Sequence, residues 1–214
     1  MKRLLSLSIS LLLATVALPG HSNAQTNSAS VETIVCLRHA EKPKTGLGQI
    51  TCLGLNRSLA LPKLLVGKYG KPQFIFASNP AQQIDELPPW LQKPGDDKYF
   101  YLRPLITIEP TAIECGLPVN IQFGFLEITN LETELLKPRY SNATIFVCWE
   151  HILLDVFAKN MVRDHGDDPA KVPEWSNDDY DTIFVLKIRT EEGKKIFSFT
   201  VEHEGLQGLS DDCP

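Results

Sequence analysis

The segment TIVCLRHAE, residues 33–41, decides the fold class of this chain. Its first five residues are all apolar or β-branched, which is typical of a strand buried on both faces of a parallel sheet. Two more runs of this kind, FIFA at 74–77 and ATIFVCW at 143–149, are separated from it by stretches with helical spacing, such as residues 51–65. Alternating strands and helices predict an α/β fold with three layers, in which a mostly parallel central sheet carries helices on both faces.

The remaining elements follow from the same periodicities and from the positions of proline. A helix is expected to start at Pro110, because proline fits the first turn of a helix. The sequence predicts helices at 110–114, 126–136 and 152–162, and late strands at 182–188 and 195–201. Residues 191–193 are expected to form a hairpin-like turn between the two late strands. Residues 79–104 hold five prolines and predict a long loop, which in a compact domain usually serves a function.

The composition predicts one folded domain rather than a disordered or fibrous chain. Hydrophobic residues make up 43% of the 214 residues and charged residues 22%, which provides enough apolar side chain to bury a core. The formal net charge is −5, and it includes Lys2 and Arg3 in a segment that we expect to be removed. The 21 basic residues less these two leave 19 against 26 acidic ones, a net charge of −7. Since a net anion without a basic cluster is a poor nucleic-acid binder, we expect no nucleic-acid partner.

The first 24 residues have the organisation of a secretory signal. Two basic residues precede an apolar run from Leu4 to Leu18, and Ser22 and Ala24 provide the small residues that a signal peptidase recognises. At about 15 residues, the run is shorter than the roughly 20 that span a bilayer. We therefore expect cleavage after Ala24 and a single domain over 25–214. The mature protein is then exported, either periplasmic or secreted, and has no membrane partner.

Export would expose the cysteines to an oxidising compartment, where disulfides persist. The chain has five of them: Cys36, Cys52, Cys115, Cys148 and Cys213. Those at 36 and 148 lie in the buried strand runs and are expected to be small core residues. Any two of the other three could form a disulfide, and the sequence does not choose among them. No CxxC or HxxxH spacing occurs, so no metal site is predicted.

Two histidines follow directly on predicted buried strands. Arg38 and His39 come after the first strand, and Glu150 and His151 come after the strand at 143–149. In open α/β sheets, ligands bind in the crevice outside the carboxyl ends of the strands. A single histidine at such a position is more often a core residue, but the two pairs together favour a site. We expect them to face each other across one crevice.

The residues around these positions resemble a known family. Leu37–Glu41 resembles the RHG or RHA motif of the histidine phosphatase superfamily, which has the phosphoglycerate-mutase-like fold. Ile50–Arg57 is similar to the LTxxGxxxA stretch that begins the first helix of that family. Phe76–Pro80 is similar to a strand end that reads SPxxR in most members. The arginine of that motif is missing here, and Gln82 and Gln83 stand near its place.

The resemblance also implies a set of site residues. Arg103 is implied as the second phosphate-binding arginine, because its spacing from the GLPV segment at 116–119 matches that of the family. Residues 80–102 then form an insertion. Glu127 stands where many members carry an acidic proton donor, and His151 matches the second catalytic histidine.

By this resemblance the chain is expected to be a metal-independent phosphomonoester hydrolase without a cofactor, acting on a small phosphorylated substrate. His39 would attack phosphorus as a neutral imidazole and become a phosphohistidine. Arg38 and Arg103 would each bind phosphoryl oxygens through two N–H groups, and His151 would donate to one of those oxygens. The segment RPLITIEP at 103–110 resembles an exported subgroup of the family.

Some assignments stay open at this point. The leaving group could take its proton from Glu127 or from Glu150, and Glu127 at a predicted helix start is also a good capping residue. Ser78 and Asn79 could donate to the phosphate or simply form a turn. Another class of protein also stays open, namely a catalytically impaired exported protein that keeps the pocket and binds phosphate or another anion. Neither the substrate nor the oligomeric state follows from the sequence.

Overall fold

The structure is a computed structural model, and it describes residues 30–44, 48–81, 83, 99–192 and 194–214. These residues form six strands and four α-helices. The strands are β1 (Ser30–Arg38), β2 (Phe74–Ala77), β3 (Val119–Asn120), β4 (Thr144–Trp149), β5 (Thr182–Glu191) and β6 (Lys194–His203). The helices are α1 (Cys52–Tyr69), α2 (Arg103–Cys115), α3 (Ile128–Leu135) and α4 (His151–Asp164), with short 3₁₀ turns at Pro138–Tyr140 and Pro169–Lys171.

All six strands belong to one sheet, in the order β3-β2-β4-β1-β5-β6. The four strands from β3 to β1 run parallel, whereas β5 and β6 are antiparallel to their neighbours. In central β1, Cys36 pairs with Val147 of β4 on one side and with Phe184 of β5 on the other. The predicted α/β fold with a mostly parallel sheet is confirmed, and the late hairpin forms its antiparallel edge.

Helices cover both faces of the sheet, as predicted. One face packs on α3 and α4 through a buried cluster that includes Leu131 and Phe157. The other face packs on α1 and α2 through a cluster that includes Leu61 and Ile108. β1 contributes to both clusters, because successive side chains of a strand point to opposite faces. This explains the unbroken apolar run of β1, which has no solvated face.

The start of α2 corrects the sequence analysis, which placed a helix at 110–114. The helix begins at Arg103, with Pro104 in its first turn and Pro110 inside it. Pro104 is the proline that suits a helix start, since its fixed φ and missing N–H fit the first turn. Pro110 removes one backbone hydrogen bond, but Ile108 and Ala112 on either side of it are buried against the sheet and hold the helix together.

α1 begins where the sequence predicts and continues to Tyr69, beyond the predicted end at residue 65. Thr51 caps its start, because the threonine hydroxyl accepts a hydrogen bond from the amide of Gly54 over 3.1 Å. A Cβ at Gly54 would lie 2.7 Å from the carbonyl oxygen of Glu41. Glycine therefore lets this helix pack closely on the segment that follows β1.

A disulfide joins Cys52, the first residue of α1, to Cys213 near the carboxyl terminus. It selects one of the three pairs that the sequence left open. The other cysteines are free and buried: Cys36, Cys115 and Cys148. The side-chain amide of Asn56 donates to two carbonyl oxygens of the same tail. The end of the chain is thus fixed along the first turns of α1.

Several expectations lie outside the described residues. They concern the predicted signal peptide at 1–24, Gln82, Gly193 and most of the insertion at 80–102. Export therefore stays a prediction. Within the ranges given above, no helix is both long and apolar enough to cross a membrane.

Candidate active site

The carboxyl ends of β1 and β4 lie side by side and carry the two histidines predicted to form a site. The two strands are parallel neighbours, and Arg38 pairs with Trp149 at their ends. The amide of His39 donates to the carbonyl oxygen of Trp149 over 2.9 Å. His151 follows β4 as the first residue of α4. The structure therefore brings the residues around His39 and those around His151 to the same edge of the sheet.

His39 is buried, with 2% of its surface exposed. Its Nδ1 lies 2.8 Å from the carbonyl oxygen of Ala40. Because a carbonyl oxygen only accepts hydrogen bonds, Nδ1 carries the hydrogen and the lone pair of the neutral ring is on Nε2. The amide of Ala40 in turn donates to the hydroxyl of Thr107 over 2.8 Å, and that hydroxyl donates to the carbonyl oxygen of Arg103. These bonds join the segment after β1 to the start of α2.

Burial is the main cause that lowers the pKa of His39 well below its usual value. The positive charges of Arg103 and Arg38 lower this pKa further, because both guanidinium groups repel a second proton on the ring. The contact with Ala40 acts in the opposite direction, but it is the weaker effect. The imidazole of His39 is therefore neutral at neutral pH and keeps its lone pair.

Arg103 is the first residue of α2, and only 3% of its surface is exposed. Its Nη2 donates to the hydroxyl of Tyr99 over 3.2 Å, and its guanidinium carbon lies 4.6 Å from the centre of the Tyr101 ring. Among the residues described, Nε and Nη1 have no hydrogen-bond partner although both are buried. Buried guanidinium nitrogens are normally hydrogen-bonded, so two without a partner next to a neutral histidine indicate a place for an anion.

Arg38, the last residue of β1, holds residues 175–180 against the site; we call this segment the 175–180 loop. Nη1 of Arg38 donates to three backbone carbonyls of the loop, and the shortest of these contacts is 2.7 Å, to Asn177. The guanidinium carbon of Arg38 lies 4.0 Å from the centre of the Tyr180 ring. Its Nε is buried and has no hydrogen-bond partner in the described part of the chain. Arg38 therefore fixes the loop through one nitrogen.

Both ring nitrogens of His151 lie against other side chains. Nδ1 is 2.5 Å from Oε1 of Glu150, at an angle outside the range of a hydrogen bond. Nε2 is 2.9 Å from Oδ1 of Asn177. Glu150 is itself fixed, because its Oε2 accepts from the amides of Ile152 and Leu153 and so caps α4.

No protein-family model and no curated protein sequence matches this chain. Solved structures do match it. The mycobacterial glucosyl-3-phosphoglycerate phosphatase is similar over 79% of this chain and 97% of its own, with 11% sequence identity and a TM-score of 0.50. The chain has the same fold as this phosphatase.

Two further proteins resemble this chain in structure. The phosphoglycerate mutase from Plasmodium falciparum matches 80% of this chain and 89% of its own, at 10% identity and a TM-score of 0.48. The phosphoserine phosphatase from Entamoeba histolytica matches 82% of this chain and 98% of its own, at 11% identity and a TM-score of 0.46. The shared fold with the mycobacterial phosphatase is all that we take from these comparisons, since identities this low do not carry a substrate from one protein to another.

Glu127 precedes α3 and is exposed. Its Oε2 accepts from the amide of Gly124 over 2.6 Å, and its Oε1 accepts from the side-chain amide of Asn130 over 3.0 Å. Both contacts are local to the turn before α3. They favour the structural role of Glu127 over the role of proton donor, and Glu150 is the acidic residue that lies next to His151.

Ser78 and Asn79 follow the end of β2. The sequence left open whether they bind phosphate or form a turn. The hydroxyl of Ser78 is buried, and it has no hydrogen-bond partner within the described ranges. The amide of Asn79 donates to the carbonyl oxygen of Phe123 over 2.7 Å, and its Oδ1 accepts from the amide of Ala81 over 2.9 Å. Asn79 therefore forms the turn, whereas Ser78 keeps a hydroxyl at the edge of the sheet. Gln83, near the place of the missing arginine, bridges to the backbone of Phe100.

Four residues at the site were not assigned from the sequence: Tyr99, Tyr101, Asn177 and Tyr180. Aromatic residues close before Arg103 were a signal for the first two of these. Nothing in the sequence indicates the other two, which lie in an acidic loop that reads as solvated surface. Their place depends on the contact between Arg38 and the 175–180 loop, which only the tertiary structure forms.

Arg57 of α1 links the segment after His39 to the carboxyl-terminal tail. It donates to Glu41 through Nε and Nη2 and to Glu204 through Nη1, the last contact being 2.6 Å. Burial raises the pKa of Glu204 to about 8, although Arg57 lowers it in part. This buried network anchors Glu41, two residues after His39. Across the described ranges, no group of three or more His, Cys, Asp or Glu side chains could hold a metal ion.

Proposed function

We propose that this protein hydrolyses phosphomonoesters through a covalent phosphohistidine on His39. The observation that carries the proposal is the state of His39, whose Nδ1 is bound to Ala40 and whose low pKa keeps Nε2 unprotonated next to Arg103. A neutral imidazole beside buried cations can attract a phosphoryl dianion and attack it. The fold that the chain shares with a phosphatase supports the same activity.

The reaction would take place in two steps. In the first, Nε2 of His39 bonds to phosphorus, the ester P–O bond breaks, and the leaving oxygen takes a proton. In the second, water attacks phosphorus and returns one proton to the group that protonated the leaving oxygen, the N–P bond breaks, and inorganic phosphate leaves with the neutral imidazole restored. The hydrogen on Nδ1 stays on the ring in both steps, because it is hydrogen-bonded to the carbonyl oxygen of Ala40. The phosphorylated ring carries a positive charge, which lies next to the dipole of that carbonyl group.

The two arginines would neutralise the phosphoryl oxygens. Arg103 brings two buried nitrogens that have no hydrogen-bond partner in the described chain, and Arg38 brings its Nε. Donors that are fixed before the reaction stabilise charge in a buried site better than water does, because they need no reorganisation. Loss of one such donor raises the barrier by roughly 2.7–4 kcal/mol.

We assign the proton for the leaving oxygen to the pair of His151 and Glu150. The Oε1 of Glu150 lies 2.5 Å from Nδ1 of His151, so a carboxyl group stands directly beside the imidazole. Glu127 is a weaker candidate, because its two carboxylate oxygens bind Gly124 and Asn130.

A second candidate function is binding of phosphate or another anion without turnover. The observation that favours it is the contact of His151 with Asn177, since one of the two proposed catalytic histidines is already hydrogen-bonded to the protein. In this case the pocket would keep its charges and the reaction would be lost.

An assay of the chain from residue 25 onward separates the two functions. The hydrolase is expected to release phosphate from an aryl phosphate equally well with and without EDTA. Replacing His39→Ala is expected to abolish that release, whereas His203→Ala is the matched control, because the His203 side chain is 65% exposed. Phosphate binding without any turnover would favour the binding protein, and turnover that survives His39→Ala would refute the nucleophile.

A further inference from the structure

Asn177 contacts two of the residues that have roles in the proposed reaction, His151 and Arg38. Its side-chain Oδ1 lies 2.9 Å from Nε2 of His151, and its backbone carbonyl oxygen accepts from Nη1 of Arg38 over 2.7 Å. The side-chain contact places a neutral oxygen acceptor on the His151 nitrogen that the substrate would meet, whereas the backbone contact ties Asn177 to Arg38. Asn177 is therefore more than a surface residue of the 175–180 loop.

Of the two nitrogens of His151, only Nε2 is suited to face a phosphoryl oxygen. Nδ1 lies against the carboxylate of Glu150, and two phosphoryl charges next to this carboxylate would repel it. Glu150 cannot move away without losing its hydrogen bonds to two backbone amides at the start of α4. The nitrogen that substrate must reach is thus the one that Asn177 now contacts.

We infer that Asn177 sets the affinity of the site for phosphoryl groups, because its side-chain oxygen takes the acceptor position at His151 and must be displaced by substrate. This inference rests on the proposed function. A phosphoryl oxygen is charged, and hydrogen bonds to charged acceptors are roughly twice as strong as those to neutral ones. Replacement of the Asn177 oxygen by a phosphoryl oxygen at His151 is therefore favourable. The free energy of binding is nevertheless less favourable than it would be without Asn177, because the hydrogen bond between Asn177 and His151 is lost.

The exchange requires only a rotation of the Asn177 side chain. Asn177 is exposed, so its amide can turn into solvent, whereas His151 is buried. The backbone of the loop is held in place independently of that side chain. The indole of Trp175 donates to the carbonyl oxygen of Asp179 over 3.2 Å, and the carboxylate of Asp179 accepts from the amides of Asp181 and Thr182.

The test compares Asn177→Ala and Asn177→Asp with the wild type, and Glu174→Gln serves as the matched control. Glu174 lies just before the 175–180 loop and is exposed. The dissociation constant for inorganic phosphate is measured by calorimetry, and KM and kcat are measured with an aryl phosphate. Thermal melting shows that each variant is folded.

Asn177→Ala is expected to lower both KM and the dissociation constant for phosphate by about three- to tenfold, the net effect of one hydrogen bond, with kcat nearly unchanged. Asn177→Asp is expected to raise both constants, because a carboxylate stays next to His151 and repels phosphate. Glu174→Gln is expected to match the wild type.

Three outcomes would overturn the inference. An unchanged dissociation constant in Asn177→Ala, with normal turnover, means that the residue does not compete with phosphate. A lower kcat at constant KM means that Asn177 orients His151 instead. If no form of the protein binds phosphate or turns over substrate, the proposed function fails and this inference fails with it. In the first two cases the proposed function survives.

Discussion

His39 donates its Nδ1–H to the carbonyl oxygen of Ala40, the next residue in the chain, over 2.8 Å. This contact fixes the tautomer of the ring and leaves Nε2 as the reactive atom. The peptide group of Ala40 is held in turn by Thr107 of α2. The orientation of the proposed nucleophile is therefore set by backbone geometry and one helix contact.

The low pKa of His39 predicts where activity is lost on acidification. Because burial and the two arginines lower the pKa of His39, the ring takes its second proton only well below the usual value for histidine, about 6.5. Activity that depends on the neutral ring is thus expected to persist as the pH falls through about 6.5 and to decline only below it. NMR titration of the His39 ring and the pH profile of kcat/KM measure this.

Arg103→Gln provides the control for that experiment. Loss of the guanidinium charge removes one cause of the low pKa, so the titration of His39 is expected to move to higher pH. A wild-type His39 that titrates at or above the usual value, or one that Arg103→Gln leaves unmoved, would contradict the account.

Arg103→Lys tests whether Nε and Nη1 of Arg103, which have no hydrogen-bond partner among the described residues, bind the substrate. Lysine keeps the positive charge but has no fork of N–H groups, so kcat/KM is expected to fall by about 10²- to 10³-fold. Arg189→Lys is the matched control, because the side chain of Arg189 on β5 is half exposed and the residue pairs with Val31 at the amino end of β1, opposite to the carboxyl end that carries Arg38. If Arg103→Lys keeps full activity while Gln82→Ala loses it, the assignment of Arg103 as the second arginine is wrong.

Two substrates that differ in their leaving group can identify the residue that gives a proton to the leaving oxygen. An alkyl phosphate needs a proton donor much more than a nitrophenyl phosphate does, since alkoxides are poor leaving groups. Glu150→Gln is expected to lower kcat for the alkyl ester by about 10²-fold more than for the aryl ester. Glu127→Gln is expected to change both rates equally and only slightly. A selective loss of alkyl ester hydrolysis in Glu127→Gln would restore Glu127 as the acid.

The disulfide between Cys52 and Cys213 is expected to contribute strongly to stability. It spans 161 residues of sequence, and cross-links of long loops restrict the unfolded chain most, so its loss should lower the free energy of unfolding by about 2–5 kcal/mol. Denaturant unfolding with and without a reductant measures this in the wild type and in Cys213→Ser. Reductant should affect only the wild type and the control Cys115→Ala, which keeps the bond. An unfolding midpoint that is independent of reductant in the wild type would contradict the prediction.

The elements that the sequence predicts well are those whose signal is local. β1, β2 and β4 appear as unbroken apolar runs because each is buried on both faces, and the central sheet follows from their alternation with helices. The start of α2 was predicted wrongly because two prolines compete for that role. Pro104 has the helix-starting position, and Pro110 is retained inside the helix by packing that no local pattern records.

The same distinction between local signals and tertiary packing applies to the residues of the candidate site. The sequence by itself determined the α/β fold and placed Arg38, His39 and His151 directly after buried strands, because residues that end parallel strands must emerge at one edge of the sheet. Only the tertiary structure decided which cysteines pair, where Glu127 and Glu150 make their contacts, and that Asn177 lies against His151. These contacts join segments from different parts of the chain or depend on the angle at which a turn leaves its strand. Such relations arise from packing in three dimensions, which the pattern of neighbouring residues does not specify.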